Sequence, residues 1–169
     1  MKIVLCGFMG SGKSNIGRRI AKKLGCSFWD MDRYIESKVG LREKEIFAQK
    51  GEAFFRKMET EVIPELLEDD PVVLACGGGT VINPANVEAI HKCGGVICFI
   101  DVPVAALQER LKADKRRPLL QRPDRREFIA ALHAERLPKY IAAADKHIDG
   151  AGPPVVITER VLEGLGVEL

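Results

Sequence analysis

The octapeptide Gly7-Phe8-Met9-Gly10-Ser11-Gly12-Lys13-Ser14 constrains the fold of this chain more than any other segment. It fits the pattern G-x-x-x-x-G-K-[ST] and lies between an apolar run at 3–6 and a helical pattern at 13–24. A glycine-rich turn that opens a helix lets backbone N–H groups converge on an anion. Lys13 adds a charge for the β and γ phosphates, and the Ser14 hydroxyl can ligate Mg²⁺. The octapeptide therefore predicts a loop that binds nucleotide phosphates.

Composition excludes several classes of protein. At 169 residues, with 46% hydrophobic and 30% charged residues, the chain is expected to form one domain with its own core. Its net charge of +2 is too small to indicate a nucleic-acid partner, and no apolar run approaches the length of a membrane span. Five cysteines without a C-x-x-C pair suggest neither disulfides nor zinc. Because Met1 directly precedes the first strand-like run, we expect no signal peptide and a cytoplasmic location.

Strand-like runs alternate with helical patterns along the chain, which is typical of a parallel sheet between layers of helices. The sequence therefore predicts an α/β fold. The strand-like runs are 3–6, 27–29, 72–75, 96–100 and 147–148, and the helical patterns are 13–24, 32–39, 43–50, 52–67, 84–92, 103–111, 125–143 and 154–165.

The segment 112–124 fits neither pattern. It contains two prolines and lies within a basic stretch, 110–126, that has eight Lys and Arg residues against two Asp. Such a run is either a solvated face or a functional lid, because long loops without regular structure are uncommon in compact domains.

Polar residues that follow strands are the first candidates for a site, since ligands of open α/β sheets bind at the carboxyl ends of the strands. Asp30 and Asp32 follow the second run and, on extended chain, would point the same way, toward a metal held by Ser14. The alternative is that one of the two aspartates, with Asp32 as the candidate, only caps the next helix. The third run is followed by glycines at 77–79 and lacks the acidic residue that binds metal in many ATPases, so the two aspartates are its natural substitute.

Two predicted helices carry charged residues at or beside their apolar faces. On the helix at 52–67, Glu59 falls within the edge of the apolar stripe and Arg56 lies one turn before it, at i, i+3 spacing. Arg136 lies in the middle of the apolar face of the helix at 125–143. A buried arginine needs an anionic partner, either a structural carboxylate or the carboxylate of a ligand.

The remaining sequence favours a small-molecule kinase over other nucleotide-binding classes. No N-K-x-D guanine-recognition motif is present, and motor ATPases bring an acidic residue after the third strand and a far longer chain. A kinase needs a phosphate-binding loop, a metal, an acceptor site and a lid that excludes water, and the chain has candidates for each.

Several motifs, in order across nearly the whole chain, resemble the shikimate kinase family. These are the octapeptide at 7–14, Asp30-Met31-Asp32, Ile46-Phe47, Gly51-Glu52, Phe55-Arg56 with Glu59, Gly77-Gly78-Gly79, Arg117-Pro118-Leu119-Leu120, and Arg136 with Pro138 and Tyr140. The resemblance implies transfer of the γ-phosphoryl group of ATP to the 3-hydroxyl of shikimate, giving shikimate 3-phosphate and ADP on the route to chorismate and the aromatic amino acids.

The resemblance also implies an architecture. It is a three-layer α/β/α fold of the P-loop NTPase type, similar to nucleoside-monophosphate kinases, with a five-stranded parallel sheet in the order 2-3-1-4-5. The chain would be a single domain over 1–169 and a monomer. Its core would comprise 1–31, 60–111 and 125–169, its shikimate-binding segment 32–60, and its lid 112–124.

The family's site residues map onto this chain one by one. Asp32 would bind the acceptor hydroxyls and orient or deprotonate the attacking oxygen, Lys13 and Arg117 would neutralise charge on the transferring group, and Arg116 could share that role. Mg²⁺ would be bound directly by Ser14 and through water by Asp30. The ATP-binding residues would be Gly10, Ser11, Gly12, Lys13, Ser14, Asn15, Arg110, Arg117, Pro153 and Pro154, although Asn15 replaces the usual hydroxyl residue. The shikimate-binding residues would be Asp32, Phe47, Phe55, Arg56, Glu59, Gly77, Gly78, Gly79 and Arg136.

Two other functions stay open on the sequence. One is a gluconate kinase or similar sugar-acid kinase, whose acceptor also carries a carboxylate and hydroxyls; the glycine triplet at 77–79 and the Arg56/Glu59 helix argue against it. The other is a non-catalytic ATP-binding module, which is disfavoured by the presence of four residues, Lys13, Ser14, Asp32 and Arg117.

Overall fold

The computed structural model describes residues 1–168 and has five parallel strands in the order β2-β3-β1-β4-β5, covered by helices. The predicted α/β fold and strand order are confirmed. The strands are β1 (Lys2–Cys6), β2 (Ser27–Asp30), β3 (Val72–Ala75), β4 (Gly95–Asp101) and β5 (Lys146–Asp149). The helices are α1 (Lys13–Leu24), α2 (Met31–Val39), α3 (Glu43–Lys50), α4 (Glu52–Leu66), α5 (Pro84–Lys92), α6 (Val104–Leu111), α7 (Arg125–Ala143) and α8 (Pro154–Gly164).

The register of the central strands places the predicted motifs at one edge of the sheet. Leu5 of β1 and Asp30 of β2 both pair with Ala75 of β3, so the three strands end at the same level. The octapeptide, the Asp30/Asp32 segment and the glycine triplet follow these strand ends directly. Because β1 and β3 are buried on both faces, they contain almost only apolar residues, as central parallel strands require.

Helix α1 lies unusually close to the sheet. A β-carbon on Gly17 would lie 2.4 Å from Cε1 of Phe28, which is far inside contact distance. The missing side chain therefore allows α1 to pack directly on β2, and this holds the start of the helix in place beneath the octapeptide.

Two details of the sequence prediction were wrong. Helix α2 begins at Met31, so Asp30 and Asp32 are not both on extended chain, and Asp32 lies in the first helical turn. The helix cap is Asp30, whose Oδ1 accepts a hydrogen bond from the backbone N–H of Arg33 at 3.3 Å. The capping role considered for Asp32 therefore belongs to Asp30, because the helix starts one residue earlier than the pattern indicates.

Short 3-10 turns occur where the sequence predicts only loops, at Thr80–Ile82 after the glycine triplet and at Pro118–Leu120 in the 112–124 segment. The five cysteines are free thiols. Among residues 1–168, none of the helices combines the length and the apolar character that crossing a membrane requires.

Candidate active site

A cleft of about 1210 Å³ opens at the carboxyl ends of the strands. It brings together most of the residues that the sequence singles out. The predicted site residues that line it are Gly10, Gly12, Lys13, Ser14, Asn15, Asp30, Asp32, Phe47, Phe55, Arg56, Gly77, Gly78, Gly79, Arg116, Arg117 and Arg136.

The octapeptide forms a tight loop around the side chain of Lys13. The Lys13 ammonium donates to the backbone carbonyls of Gly7 at 2.8 Å and Phe8 at 3.1 Å, and only 9% of the residue is exposed. Burial lowers the pKa of Lys13, while the negative charge of Asp32 acts in the opposite direction. A β-carbon on Gly7 would lie 2.8 Å from the backbone oxygen of Ile100, so this loop geometry requires glycine there.

Ser14 and Asp30 place two side-chain oxygens next to each other at the mouth of the loop. The Ser14 hydroxyl donates to Asp30 Oδ2 at 2.5 Å. Ser14 lies in the first turn of α1 and Asp30 is the N-cap of α2, so the starts of two helices meet at this pair.

One oxygen of the Asp32 carboxyl group has no hydrogen-bond partner among the described residues. This atom, Oδ1, is buried and has no donor within reach among residues 1–168. Burial, and then the negative charges of Glu43, Glu59 and Asp30, raise the pKa of Asp32 to about 8, against the opposing charge of Lys13. A buried, unpaired acid with a pKa near neutrality is typical of a group that binds substrate or moves a proton.

The glycine triplet provides bare backbone against which the charged groups converge. A β-carbon on Gly77 would lie 2.7 Å from Asp32 Oδ1, and one on Gly79 would lie 2.7 Å from Arg56 Nη1. At Gly78 the corresponding distance to Arg136 Nη1 is 3.6 Å. Side chains here would displace an aspartate and an arginine, so the absence of side chains at Gly77 and Gly79 maintains the spacing of the site.

Arg56 is held by the predicted pair with Glu59. Arg56 Nη1 donates to Glu59 Oε1 at 2.6 Å, and Glu59 is fully buried. Glu59 Oε2 accepts from the hydroxyl of Thr80 at 2.5 Å. The ring of Phe55, which packs against Phe47 with centroids 5.0 Å apart, adjoins the same arginine.

Arg136 differs from Arg56 in its surroundings. Over the described residues 1–168, no carboxylate lies within 4.0 Å of its guanidinium. It lies beside Tyr140, whose hydroxyl donates to the carbonyl of Gly78 at 2.5 Å. Arg136 therefore faces the cleft with its charge available.

Arg117 reaches the cleft from the 112–124 segment, where Asp114 holds it. Its Nη1 donates to Asp114 Oδ2, and Asp114 Oδ1 accepts from the backbone N–H groups of Arg116 and Arg117, each at 2.9 Å. Arg117 is half-buried, whereas Arg116 is exposed.

Five predicted residues do not line the cleft. Ser11 is buried inside the loop, and Glu59 lies behind Arg56. Arg110 is exposed and donates to the carbonyl of Gly10 at 3.0 Å. Pro153 and Pro154 lie at the start of α8, outside the cleft lining.

The sequence reasoning missed Glu43, Asp114 and Thr80. Glu43 lines the cleft and is itself half-buried, and burial raises its pKa. The sequence did contain a signal for Asp114, since an aspartate in a loop commonly accepts hydrogen bonds from the backbone N–H groups two and three positions later, here those of Arg116 and Arg117. No local pattern identifies Thr80, because its partner Glu59 is distant in sequence.

Comparison with known proteins gives one consistent result. The family model for shikimate kinase matches residues 9–165. A shikimate kinase of Aquifex aeolicus is 41% identical over 167 residues, covering 98% of this chain and 96% of the relative. A shikimate kinase of Aromatoleum aromaticum is 42% identical over 150 residues, covering 89% of this chain and 85% of the relative.

Solved structures agree with this assignment. Shikimate kinase from Acinetobacter baumannii in complex with shikimate superposes with a TM-score of 0.90 at 34% identity, covering 98% of this chain and 93% of that one. A gluconokinase from Sinorhizobium meliloti, at 17% identity and a TM-score of 0.59, shares the fold alone. The family match and the relatives support the main prediction over the gluconate alternative, and the chain belongs to the shikimate kinase family.

Proposed function

We propose that this chain transfers the γ-phosphoryl group of ATP to the 3-hydroxyl of shikimate, giving shikimate 3-phosphate and ADP on the route to chorismate and the aromatic amino acids. The convergence of Asp32, Arg56 and Arg136 on one glycine triplet, in the same cleft as the phosphate-binding loop, carries the proposal. An acid and two arginines around bare backbone suit an acceptor that has both a carboxylate and hydroxyls.

The two arginines are proposed to bind the acceptor carboxylate. Arg56 is oriented by Glu59 and approaches Gly79, while Arg136 approaches Gly78 without a carboxylate partner within residues 1–168. Because the two guanidinium groups lie beside adjacent glycines, they can bind one carboxylate from two directions. The glycine backbone would contact the acceptor, and Phe47 and Phe55 would flank it.

Asp32 is proposed to bind the attacking hydroxyl and accept its proton as the phosphoryl group moves. Its unpartnered Oδ1 has room for one strong hydrogen bond from a ligand. A pKa of about 8 makes it a better proton acceptor than an ordinary aspartate, and Lys13 nearby favours the ionised form.

The donor half of the site consists of the octapeptide and the lid. The backbone at 10–15 would bind the phosphates, and Lys13 would exchange two carbonyl contacts for phosphate oxygens. Arg117 would extend from Asp114 toward the transferring group, where it stabilises developing charge. Arg110, beside Gly10, and the Pro153-Pro154 turn are proposed to contact the adenosine.

Magnesium fits the oxygen donors at this edge of the sheet. Ser14 Oγ and Asp30 Oδ2 are hard ligands 2.5 Å apart, and residues 1–168 contain no cluster of three or more His, Cys, Asp or Glu side chains suited to a metal. Mg²⁺ keeps several waters and binds nucleotide phosphates, so it needs few protein ligands. We propose that Ser14 holds it directly and Asp30 through water, and that it supplies positive charge to the phosphates.

We also infer that the protein acts as a cytoplasmic monomer. The free thiols suit a reducing compartment, and the site is assembled from this one chain. Light scattering of the purified protein should give the mass of one chain, and a mass of two chains would contradict the inference.

The direct test is a coupled ADP-release assay with shikimate, quinate and gluconate as acceptors. We expect turnover of shikimate and far lower rates with the other two. Turnover of gluconate without turnover of shikimate would refute the proposed function.

Replacement of Asp32 by Asn tests the proposed proton acceptor. We expect kcat to fall by about 10²-fold or more, the usual contribution of a general base, while ATP affinity changes by less than about 3-fold. Asp69→Asn, at an exposed position near the opposite ends of the strands, is the control. Retention of wild-type kcat by Asp32→Asn would exclude the assigned role.

A further inference from the structure

Glu59 is a buried carboxylate with a different donor on each oxygen. Its Oε1 accepts from Arg56 Nη1 at 2.6 Å and its Oε2 accepts from the hydroxyl of Thr80 at 2.5 Å. Arg56 belongs to the same helix as Glu59, whereas Thr80 lies directly after the glycine triplet. The Thr80 contact therefore connects Glu59 directly to the turn that follows the glycine triplet.

Thr80 is itself fixed from several sides. It is fully buried, and its carbonyl accepts from Asn86 Nδ2 at 2.9 Å. Asn86 Oδ1 in turn accepts from the hydroxyl of Thr60 at 2.8 Å, and Thr60 follows Glu59 on α4. These contacts form a closed hydrogen-bonded circuit between α4 and the turn after the glycines. The circuit leaves Thr80 little freedom to move relative to Glu59.

The hydroxyl of Thr80 has one proton and two possible acceptors. Met31 Sδ lies 3.3 Å from Thr80 Oγ1, but thioether sulfur is a weak acceptor and the carboxylate at 2.5 Å is a strong one. The proton therefore goes to Glu59. The hydrogen bond to Glu59 matters because Glu59 Oε2 and Asp32 Oδ1 both lie next to Gly77. A β-carbon on Gly77 would lie 2.7 Å from Asp32 Oδ1 and 3.1 Å from Glu59 Oε2.

We propose that Thr80 is a positioning residue for acceptor binding, which holds Glu59 so that Arg56 stays aimed at the acceptor carboxylate beside Gly79. The proposal rests on the proposed function, because it assigns a purpose to the orientation of Arg56. Without the hydroxyl, the carboxylate and the guanidinium can rotate together as a pair, and a Glu59 oxygen faces Asp32 without a donor. Both changes loosen the acceptor site and leave the phosphate-binding loop intact.

The test compares Thr80→Val, which keeps the volume but removes the hydroxyl, with Thr80→Ser, which keeps the hydroxyl. For Thr80→Val we expect the Kd and KM for shikimate to rise about 10-fold, the scale of one hydrogen bond to a charged group. The KM for ATP should stay within about 2-fold and kcat within about 3-fold, because the lost contact acts on the acceptor only. Thr80→Ser should bind shikimate within about 3-fold of wild type.

Val81→Ala is the control, since it truncates a buried apolar neighbour on the same turn and should alter stability without selective loss of shikimate affinity. If Thr80→Val does not fold, Thr80→Ala against Thr80→Ser gives the same comparison. Unchanged shikimate affinity in the hydroxyl-free variant, an equal loss in Thr80→Ser, or an equal loss for ATP would overturn the proposal. A wild-type enzyme inactive on shikimate would instead refute the proposed function.

Discussion

Replacement of Arg136 by Lys separates a ligand-binding arginine from a structural one. Arg136 faces the cleft beside Gly78 and Tyr140, and within residues 1–168 no carboxylate reaches its guanidinium. Lysine retains the charge but presents a single ammonium in place of a planar fork. If the arginine binds the shikimate carboxylate through two parallel hydrogen bonds, the lysine variant loses one of them.

The expected loss follows from the nature of that bond. A hydrogen bond between charged groups contributes about 1.5–3 kcal/mol, which corresponds to an increase of about 10- to 150-fold in the Kd for shikimate. The folded protein should lose little stability, because the arginine has no ion-pair partner within the described chain to leave behind. A structural arginine would show the reverse, with a lower melting temperature and unchanged affinity.

Isothermal titration of shikimate into the nucleotide-free protein measures the effect directly. Arg126→Lys, at an exposed position of the same helix, should bind shikimate as the wild type does. Combining Arg136→Lys with Arg56→Lys should give less than the sum of the two losses if both arginines bind one carboxylate. Unchanged affinity in Arg136→Lys would refute the assignment of this arginine to the acceptor.

Two further predictions concern pH and the segment 112–124, which is proposed above to be the lid. The raised pKa of Asp32, about 8 against an ordinary 3.8, means that the folded state binds the proton more tightly than the unfolded state, so this group lowers stability progressively between about pH 4 and pH 8. Melting curves of wild type and Asp32→Asn should therefore diverge across that range in favour of the variant, and parallel curves would contradict the raised pKa. Arg125 donates to the carbonyls of Leu111 at 3.0 Å, Lys112 at 2.9 Å and Leu120 at 2.7 Å, which connects both ends of the lid. Arg125→Met should speed amide hydrogen exchange in the lid by about 10-fold or more while exchange in the central strands stays unchanged, and equal protection of the lid in both proteins would exclude this anchoring role.

Local sequence patterns were sufficient for the framework of the molecule. The alternation of apolar runs and helical patterns predicted the elements to within a few residues, because the strands of a parallel sheet are buried on both faces and the helices on one. The rule that ligands bind at the carboxyl ends of strands placed Asp30 and the glycine triplet at one edge, and the register of β1, β2 and β3 agrees. The pairing of Arg56 with Glu59 also followed from spacing, since it lies within one helix.

Contacts between distant segments were beyond such patterns. Thr80 and Glu59 meet across 21 positions, and Glu43 acts on Asp32 from another helix. The identity of the helix cap depended on the exact start of α2, which the spacing of apolar residues defines only to within a residue or two.

By itself, the sequence determined that this chain binds nucleotide phosphates in the loop between the first strand and the first helix. This could be read locally because the octapeptide binds phosphate through its own backbone N–H groups and the adjacent Lys13. It also indicated that Arg136 needs an anionic partner and that Arg56 pairs with Glu59, since the place of Arg136 on an apolar face and the i, i+3 spacing of the pair can be read from periodicity. Only the tertiary structure decided that both arginines line one cleft beside the glycine triplet, and that Arg136 has no carboxylate within 4.0 Å among residues 1–168. Both facts depend on distances between elements separated along the chain, and those distances are determined by packing.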